Sequence, residues 1–236
     1  MTGLVRKATL LSLCGLLVAA VAFAGTPSGT FSTFPPNNCV KLVGRSGATT
    51  FDPSGTFTII VRDGGGNLVP NSNVVLDFST CPDVHMGDQA SNLQFAGNAG
   101  LTENAAFKTV TRAAGPTNGL PAGQVSFTLL GGSTNGGPGG GAVAHPGSGF
   151  LCCKVIADNT QIGTLTIAVF DEDGSKTINS GDAGLALGDT FSPGAGATAA
   201  ARTDFDCNGV VNSADVAVLQ AVAFGVFVNG PAAFAW

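Results

Sequence analysis

Two stretches near the C-terminus repeat one arrangement of oxygen-bearing residues. Residues 171–182 and 204–215 both carry Asp at the first, third and twelfth places and Asn-Ser at the ninth and tenth. That spacing suits a hard divalent cation. Calcium takes roughly six to eight oxygens at ~2.3–2.6 Å, and a tight loop supplies them from alternate residues. Side chains come from the first, third and fifth places and a backbone carbonyl from the seventh. The ninth often acts through water, and the twelfth gives a two-oxygen carboxylate. In the first copy the donors are Asp171, Asp173, Ser175, the carbonyl of Thr177, Asn179 and Asp182. In the second they are Asp204, Asp206, Asn208, the carbonyl of Val210, Asn212 and Asp215. Eight of the fifteen acidic residues fall between Asp171 and Asp215, where they repel at close range without a cation. The expected cofactor is Ca2+, at two sites.

The copies differ at the sixth place. Gly209 gives the second loop a residue that takes positive φ without strain, whereas Lys176 costs the first loop backbone strain and brings a cation near the site. The second loop is therefore expected to bind more tightly. Ile178 and Val211 stand at the apolar eighth place, where each would pack its loop against the other. After the second loop, Val216, Leu219, Val222 and Ala223 suit one face of a short helix. After the first, Gly184 and Gly188 weaken the helix. A standard EF-hand carries Glu at the twelfth place and is entered by a helix. Here the twelfth residue is Asp, and a strand over 164–170 enters the first loop. The combination resembles dockerin domains over residues 171–228. The resemblance implies paired loop-plus-helix units packed face to face, with a cohesin-like partner meeting the tenth and eleventh places, here Ser180-Gly181 and Ser213-Ala214.

Upstream, short alternating runs must carry these loops. Phe57, Ile59 and Val61 alternate with Thr58, Ile60 and Arg62. Val74, Leu76 and Phe78 repeat the period, as do Val125, Phe127 and Leu129, then Leu165, Ile167 and Val169. A period of two buries one face of a strand and leaves the other wetter. Turn clusters at 64–67, 70–73 and 121–123 separate the runs, so the expected fold is mainly β, a sandwich of short strands. Residues 131–149 are dense in Gly, but a strand-like run over 150–157 comes next rather than a helix with Lys and Ser/Thr at its start. That excludes a phosphate cradle and leaves a long hairpin connection. The runs 57–63, 66–70 and 74–78 look like the opening hairpin of bacterial Ig-like domains of the invasin/intimin kind, and 124–129 and 163–169 are similar to their later strands. The resemblance, over residues 39–170, implies an Ig-like β-sandwich.

The N-terminus reads as an export signal. Arg6 and Lys7 precede an apolar run over 8–21 that ends in Ala22-Phe23-Ala24, a small-x-small site for cleavage after Ala24. The organisation expected is signal peptide 1–24, linker 25–38, Ig-like β-sandwich 39–170, dockerin-like module of loops and short helices 171–228, and tail 229–236. Beyond the signal no run is apolar enough to span a membrane, and an acidic chain without a basic patch argues against nucleic acid. Five cysteines follow the signal: Cys39, Cys81, Cys152, Cys153 and Cys207. In an oxidising compartment Cys39 or Cys81 is expected to bridge to Cys152 or Cys153, with Cys207 left over. His85 and His145 stand alone in turn-like settings, and disulfide use of Cys153 outweighs a Cys–His nucleophile with His145. No paired carboxylates in the sandwich suggest glycosidase work. The expectation is a secreted or cell-surface, non-enzymatic calcium-binding protein for docking, adhesion or assembly, partnered by a cohesin-like or other surface protein. The alternative is a carbohydrate-binding accessory component, against which stand the absence of Tyr and the single Trp236.

Overall fold

The computed structural model describes residues 25–46, 50–51, 53–81, 84–87, 100–115, 119–133, 150–175, 177–191, 201–221 and 226–227. The signal segment, Lys176, His145, most of the Gly-rich connection, Val222, Ala223 and the tail lie outside the described residues.

The chain is mainly β. Its strands are β1 Cys39–Leu42, β2 Arg45–Ser46, β3 Thr50–Phe51, β4 Thr56–Ile60, β5 Asn73–Asp77, β6 Val84–Met86 and β7 Thr102–Asn104, followed by β8 Thr109–Ala113, β9 Gln124–Thr128, β10 Gly131–Ser133, β11 Cys153–Ala157, β12 Thr160–Val169, β13 Thr177–Ile178 and β14 Val226–Phe227. Two helices follow the acidic loops, α1 Ser180–Phe191 and α2 Ser213–Ala221. The largest sheet runs β1-β12-β11-β5-β8-β7, with β1 parallel to β12 and the other pairs antiparallel. β4 pairs with β9, β6 with β10, and β13-β14-β2-β3 make a small fourth sheet.

The period-two reading is met. Phe57, Ile59, Val61, Val74, Leu76, Phe78, Val125, Phe127, Leu129, Leu165, Ile167 and Val169 all enter one buried cluster. Across the β4–β9 ladder Phe57 lies opposite Phe127, their rings stacked with centroids 5.5 Å apart. The expected hairpin of the first two runs does not form, however. β4 pairs with β9 and β5 with β8 and β11, so the two runs belong to different sheets. The turn between them is tight: the Asp63 carboxylate accepts from the amides of Gly65 and Asn67 at 2.9 Å each, and Gly66 takes φ +80°. Such a turn re-aims the chain, and only the bridge Arg62–Leu68 pairs its arms.

Residues 25–38, composed like a linker, are bound along the β4 edge. Thr33 exchanges two backbone hydrogen bonds with Ile60 at 2.9 Å, and Ser28 donates to the Arg62 carbonyl at 2.8 Å. Two histidine and glycine expectations also change. His85 stands in β6 opposite Gly132, not in a turn, and Gly131–Ser133 is a buried strand, not connection. Gly suits it there: a Cβ on Gly131 would lie 2.7 Å from the His85 carbonyl oxygen.

The cysteines pair as Cys81–Cys152 and Cys39–Cys207, leaving Cys153 free and buried. The first bridge meets the expectation. Cys207 corrects it, because packing of the second loop over the start of β1 brings its Cα within 5.5 Å of that of Cys39.

Cys81 and Cys152 lie inside the main buried cluster, and their bridge closes a loop of sequence separation 71. Replacing both by Ala is expected to lower unfolding free energy by ~2–5 kcal/mol, chiefly by freeing the unfolded chain. Guanidinium unfolding without reductant checks it; an unmoved midpoint would refute the role.

Candidate functional site

The loops hang from β12. Its inward residues Leu165, Ile167 and Val169 feed the main core, while Ala168 and Phe170 enter a second buried cluster with Cys39, Val43, Ile178, Ala186, Phe205, Val216 and Leu219. That second cluster is the floor under both acidic loops. Phe170 and Phe205, each just before or inside a loop, meet with ring centroids 5.1 Å apart. α1 contributes Ala186 and α2 contributes Val216 and Leu219, so each helix buries one face here. α1 forms despite Gly184 and Gly188 and is the longer helix, 12 residues against 9. Tertiary packing overrides the weak propensity.

Each loop gathers three carboxylates. Asp171, Asp173 and Asp182 present oxygens all within 4.8 Å of one another, and so do Asp204, Asp206 and Asp215. The scaffolding bonds repeat from loop to loop. The twelfth-place carboxylate accepts the amides of the third and ninth places: Asp173 and Asn179 to Asp182 at 3.0 and 2.8 Å, Asp206 and Asn212 to Asp215 at 3.1 and 2.8 Å. The ninth-place side-chain oxygen accepts the eleventh amide, Gly181 at 2.6 Å and Ala214 at 2.8 Å. Its Nδ2 donates to the seventh carbonyl, Thr177 at 2.8 Å and Val210 at 3.3 Å. In the second loop Asp204 also accepts from Asn208 at 3.0 Å and Gly209 at 2.9 Å, with Gly209 at φ +85°. In the first, Ser175 donates from its amide to Asp173 at 2.8 Å and from its hydroxyl to the Thr177 carbonyl at 3.0 Å. Of the twelve residues singled out by spacing, the six aspartates are brought together in two groups of three, and the others contribute the loop hydrogen bonds just described.

The apolar eighth places differ from each other. Ile178 is buried in one cluster with Phe205 of the second loop, its strand β13 pairing with β14, whereas Val211 is only half-buried. Left-handed backbone recurs at the fourth place, where Gly174 takes φ +65° and Cys207 φ +58°.

Burial crowds the charges. Asp171, Asp182 and Asp215 are fully buried and Asp204 nearly so. Desolvation, with the neighbouring Asp173 carboxylate adding to it, pushes Asp182 up to about 6 against the pull of the Asp173 and Asn179 amides. Burial likewise raises Asp204 and Asp215, each also facing the other carboxylates of its loop. Carboxylates held together at this cost favour a cation that replaces the lost hydration.

Beneath the first loop lies a polar cluster that spacing arguments missed. Glu172, at the second place, is fully buried and pushed to about 8 by desolvation; Arg202 opposes the shift and the charges of Asp189 and Asp182 add to it. The Thr203 hydroxyl stands 2.9 Å from Glu172 Oε1 and 2.6 Å from Asp189 Oδ2. One hydroxyl proton serves only one of the two carboxyls at a time. Arg202 donates to the Ser133 hydroxyl, and the Ser133 amide donates to the Asp171 carbonyl at 2.8 Å. The only sequence signal was a charged residue at a place where no ligand is needed.

β10 seals the first loop through Gly132, where a Cβ would stand 2.3 Å from Asp171 Oδ2. Gly132→Ala should therefore displace the first-place carboxylate and cost ~1–3 kcal/mol. Gly184→Ala is its counterpart: an exposed helix position with nothing within 4 Å of the new Cβ, expected to stabilise by ~1 kcal/mol. Thermal melts of the two variants check the opposite signs.

The raised carboxyls also set a pH dependence. Folded Asp182 and Glu172 hold protons more tightly than in the unfolded chain, where they titrate near 3.8 and 4.5. Stability in chelator should thus fall as pH rises from about 4 through 6, where Asp182 ionises, and on toward about 8 through Glu172. A cation held by ionised Asp182 should remove the first part of the fall but not the second. Melting midpoints in chelator that rise from pH 5 to pH 8 would refute this.

No protein-family model, curated protein or solved structure matches this chain, so any functional reading rests on the loops and their surroundings.

Proposed function

We propose that this is an exported, non-enzymatic calcium-binding protein of the cell surface or extracellular space, in which an Ig-like β-sandwich presents a dockerin-like pair of calcium loops for docking or assembly. The observation that carries the reading is the duplicated cage, three carboxylates within 4.8 Å in each loop on one shared set of backbone hydrogen bonds. All the donors are oxygen, the set a hard cation takes, and the fully buried twelfth-place Asp in each loop can offer both carboxylate oxygens. Asp171, Asp173, Ser175, Thr177, Asn179 and Asp182 would hold one ion; Asp204, Asp206, Asn208, Val210, Asn212 and Asp215 would hold the other.

The sandwich reading is supported by one core shared between the six-stranded sheet and the β4–β9 ladder. Export is supported by the N-terminal basic-then-apolar run and by two disulfides. A binding role suits the free cysteine better than catalysis does, since burial pushes the Cys153 thiol well up and away from the thiolate form. The tenth and eleventh places, Ser180-Gly181 and Ser213-Ala214, start the two helices and would face a cohesin-like partner.

Calcium should stabilise the protein by ~1.4 kcal/mol per site at millimolar concentration if each site binds near ~10⁻⁴ M. The second loop closes on Gly209 at φ +85° and is expected to bind more tightly. Calorimetric titration of calcium into Asp182→Ala and Asp215→Ala tests both points. The site surviving in Asp182→Ala should be the tighter; no heat from either variant or the parent would end the calcium reading.

A further inference from the structure

We infer that the Cys39–Cys207 bridge is a reducible staple through which thiol–disulfide exchange sets the cation affinity of the second loop. The two bridges differ in access. Cys81 and Cys152 are 0% and 7% exposed inside the main core. Cys39 is equally buried at 6%, but Cys207 is only half-buried, and both line an open groove of about 510 Å³, walled by Phe34, Pro36, Val40 and Phe57, with Asp206 beside them. Exchange needs a thiolate to reach a sulfur, so the groove directs a small dithiol to this bridge. One thiolate of the dithiol attacks Cys207 Sγ, the Sγ–Sγ bond breaks and Cys39 leaves as thiolate. The second thiol of the reagent then closes the reagent's own disulfide and expels Cys207. Two electrons pass from the dithiol to the bridge, and its two protons end on the cysteines. Cys153 does not compete, being fully buried.

Opening the bridge matters because of where Cys207 sits. It is the fourth place of the loop, between the donors Asp206 and Asn208, with φ +58°. The first loop has Gly174 there at φ +65°, which needs no restraint. Cys207 is held by its bridge to β1 and by the Asn37 amide, which donates to its carbonyl at 2.5 Å. With the bridge open, the left-handed backbone loses its covalent restraint and keeps only hydrogen bonds, such as the Cys207 amide to the Asp204 carbonyl at 3.2 Å, so Asp206 and Asn208 leave their common centre. By linkage an ion in the loop protects the bridge in turn. The affinity half of this inference rests on the calcium reading above.

The test uses the oxidised protein, graded dithiothreitol with or without calcium, alkylation and peptide mapping, then calcium calorimetry in an Asp182→Ala background. Cys39 and Cys207 should label before Cys81 and Cys152, and calcium should slow that labelling. The second-loop Kd should rise by roughly 5- to 150-fold on opening. The C39S/C207S double variant, in the same background, should show the same rise without any alkyl group. Simultaneous labelling of all four cysteines overturns the reducible staple. An unchanged Kd after opening overturns the coupling alone. Absence of calcium heat from the oxidised protein overturns the calcium reading and the coupling with it, while the labelling order still decides the staple.

Discussion

The structure depends on a strand that is buried on both faces. From Leu165 to Val169 every residue of β12 is buried, one side set against the main core and the other against the floor of the acidic loops. Strands covered on both sides lose the alternation of sequence that marks a half-exposed one. β12 needs partners on both edges as well, and finds them in β11 and, in parallel, in β1. It then runs directly into Phe170 and Asp171. The position of the first loop is therefore a consequence of how the sheet is held, and the second loop is placed by packing Phe205 on Phe170.

On that base the molecule tolerates an uncommon concentration of buried polar groups. Asp171, Glu172, Asp182, Arg202, Thr203, Asp204, Asp215 and Ser133 are all buried around the two loops. Groups of this kind destabilise unless hydrogen bonds and opposite charges satisfy them. Backbone amides do part of this for the aspartates. The Thr203 hydroxyl and the charge of Arg202 do part of it for Glu172 below the first loop. The first loop thus has an internal polar foundation, whereas the second is fixed from outside by a covalent bond to β1. Duplicated sequence has acquired two different means of support.

The two carboxylate clusters were legible because each residue sits at a fixed offset within one short segment, and local spacing determines local convergence. The core residues of β4, β5, β9 and β12 were legible for the same reason, since side chains two apart share a face. The Cys81–Cys152 bridge met expectation, but what failed depends on distant parts of the chain meeting. Cys207 had no visible partner because Cys39 is brought to it only by packing over β12. The runs at 57–63 and 74–78 looked like a hairpin because they are adjacent in sequence, and nothing local says that β4 would choose β9. The strand Gly131–Ser133 was masked by its continuity with the Gly-rich residues 134–149. Glu172, Arg202 and Thr203 form a cluster only in three dimensions.

The parallel pairing of β1 with β12 also has a consequence for the order in which the chain can be completed. Synthesis supplies β1 early, but its partner strand arrives much later and Cys207 later still, 168 residues beyond Cys39. The Cys81–Cys152 crosslink spans only 71 residues and can close on a nascent chain that lacks both acidic loops. Contacts so distant in sequence gain nothing until the entropy of a long loop has been lost, which slows closure. Until then β1 offers an unpaired strand edge and a thiol in the same place. A chain halted before residue 160 would keep both exposed, which favours pairing with another copy of itself.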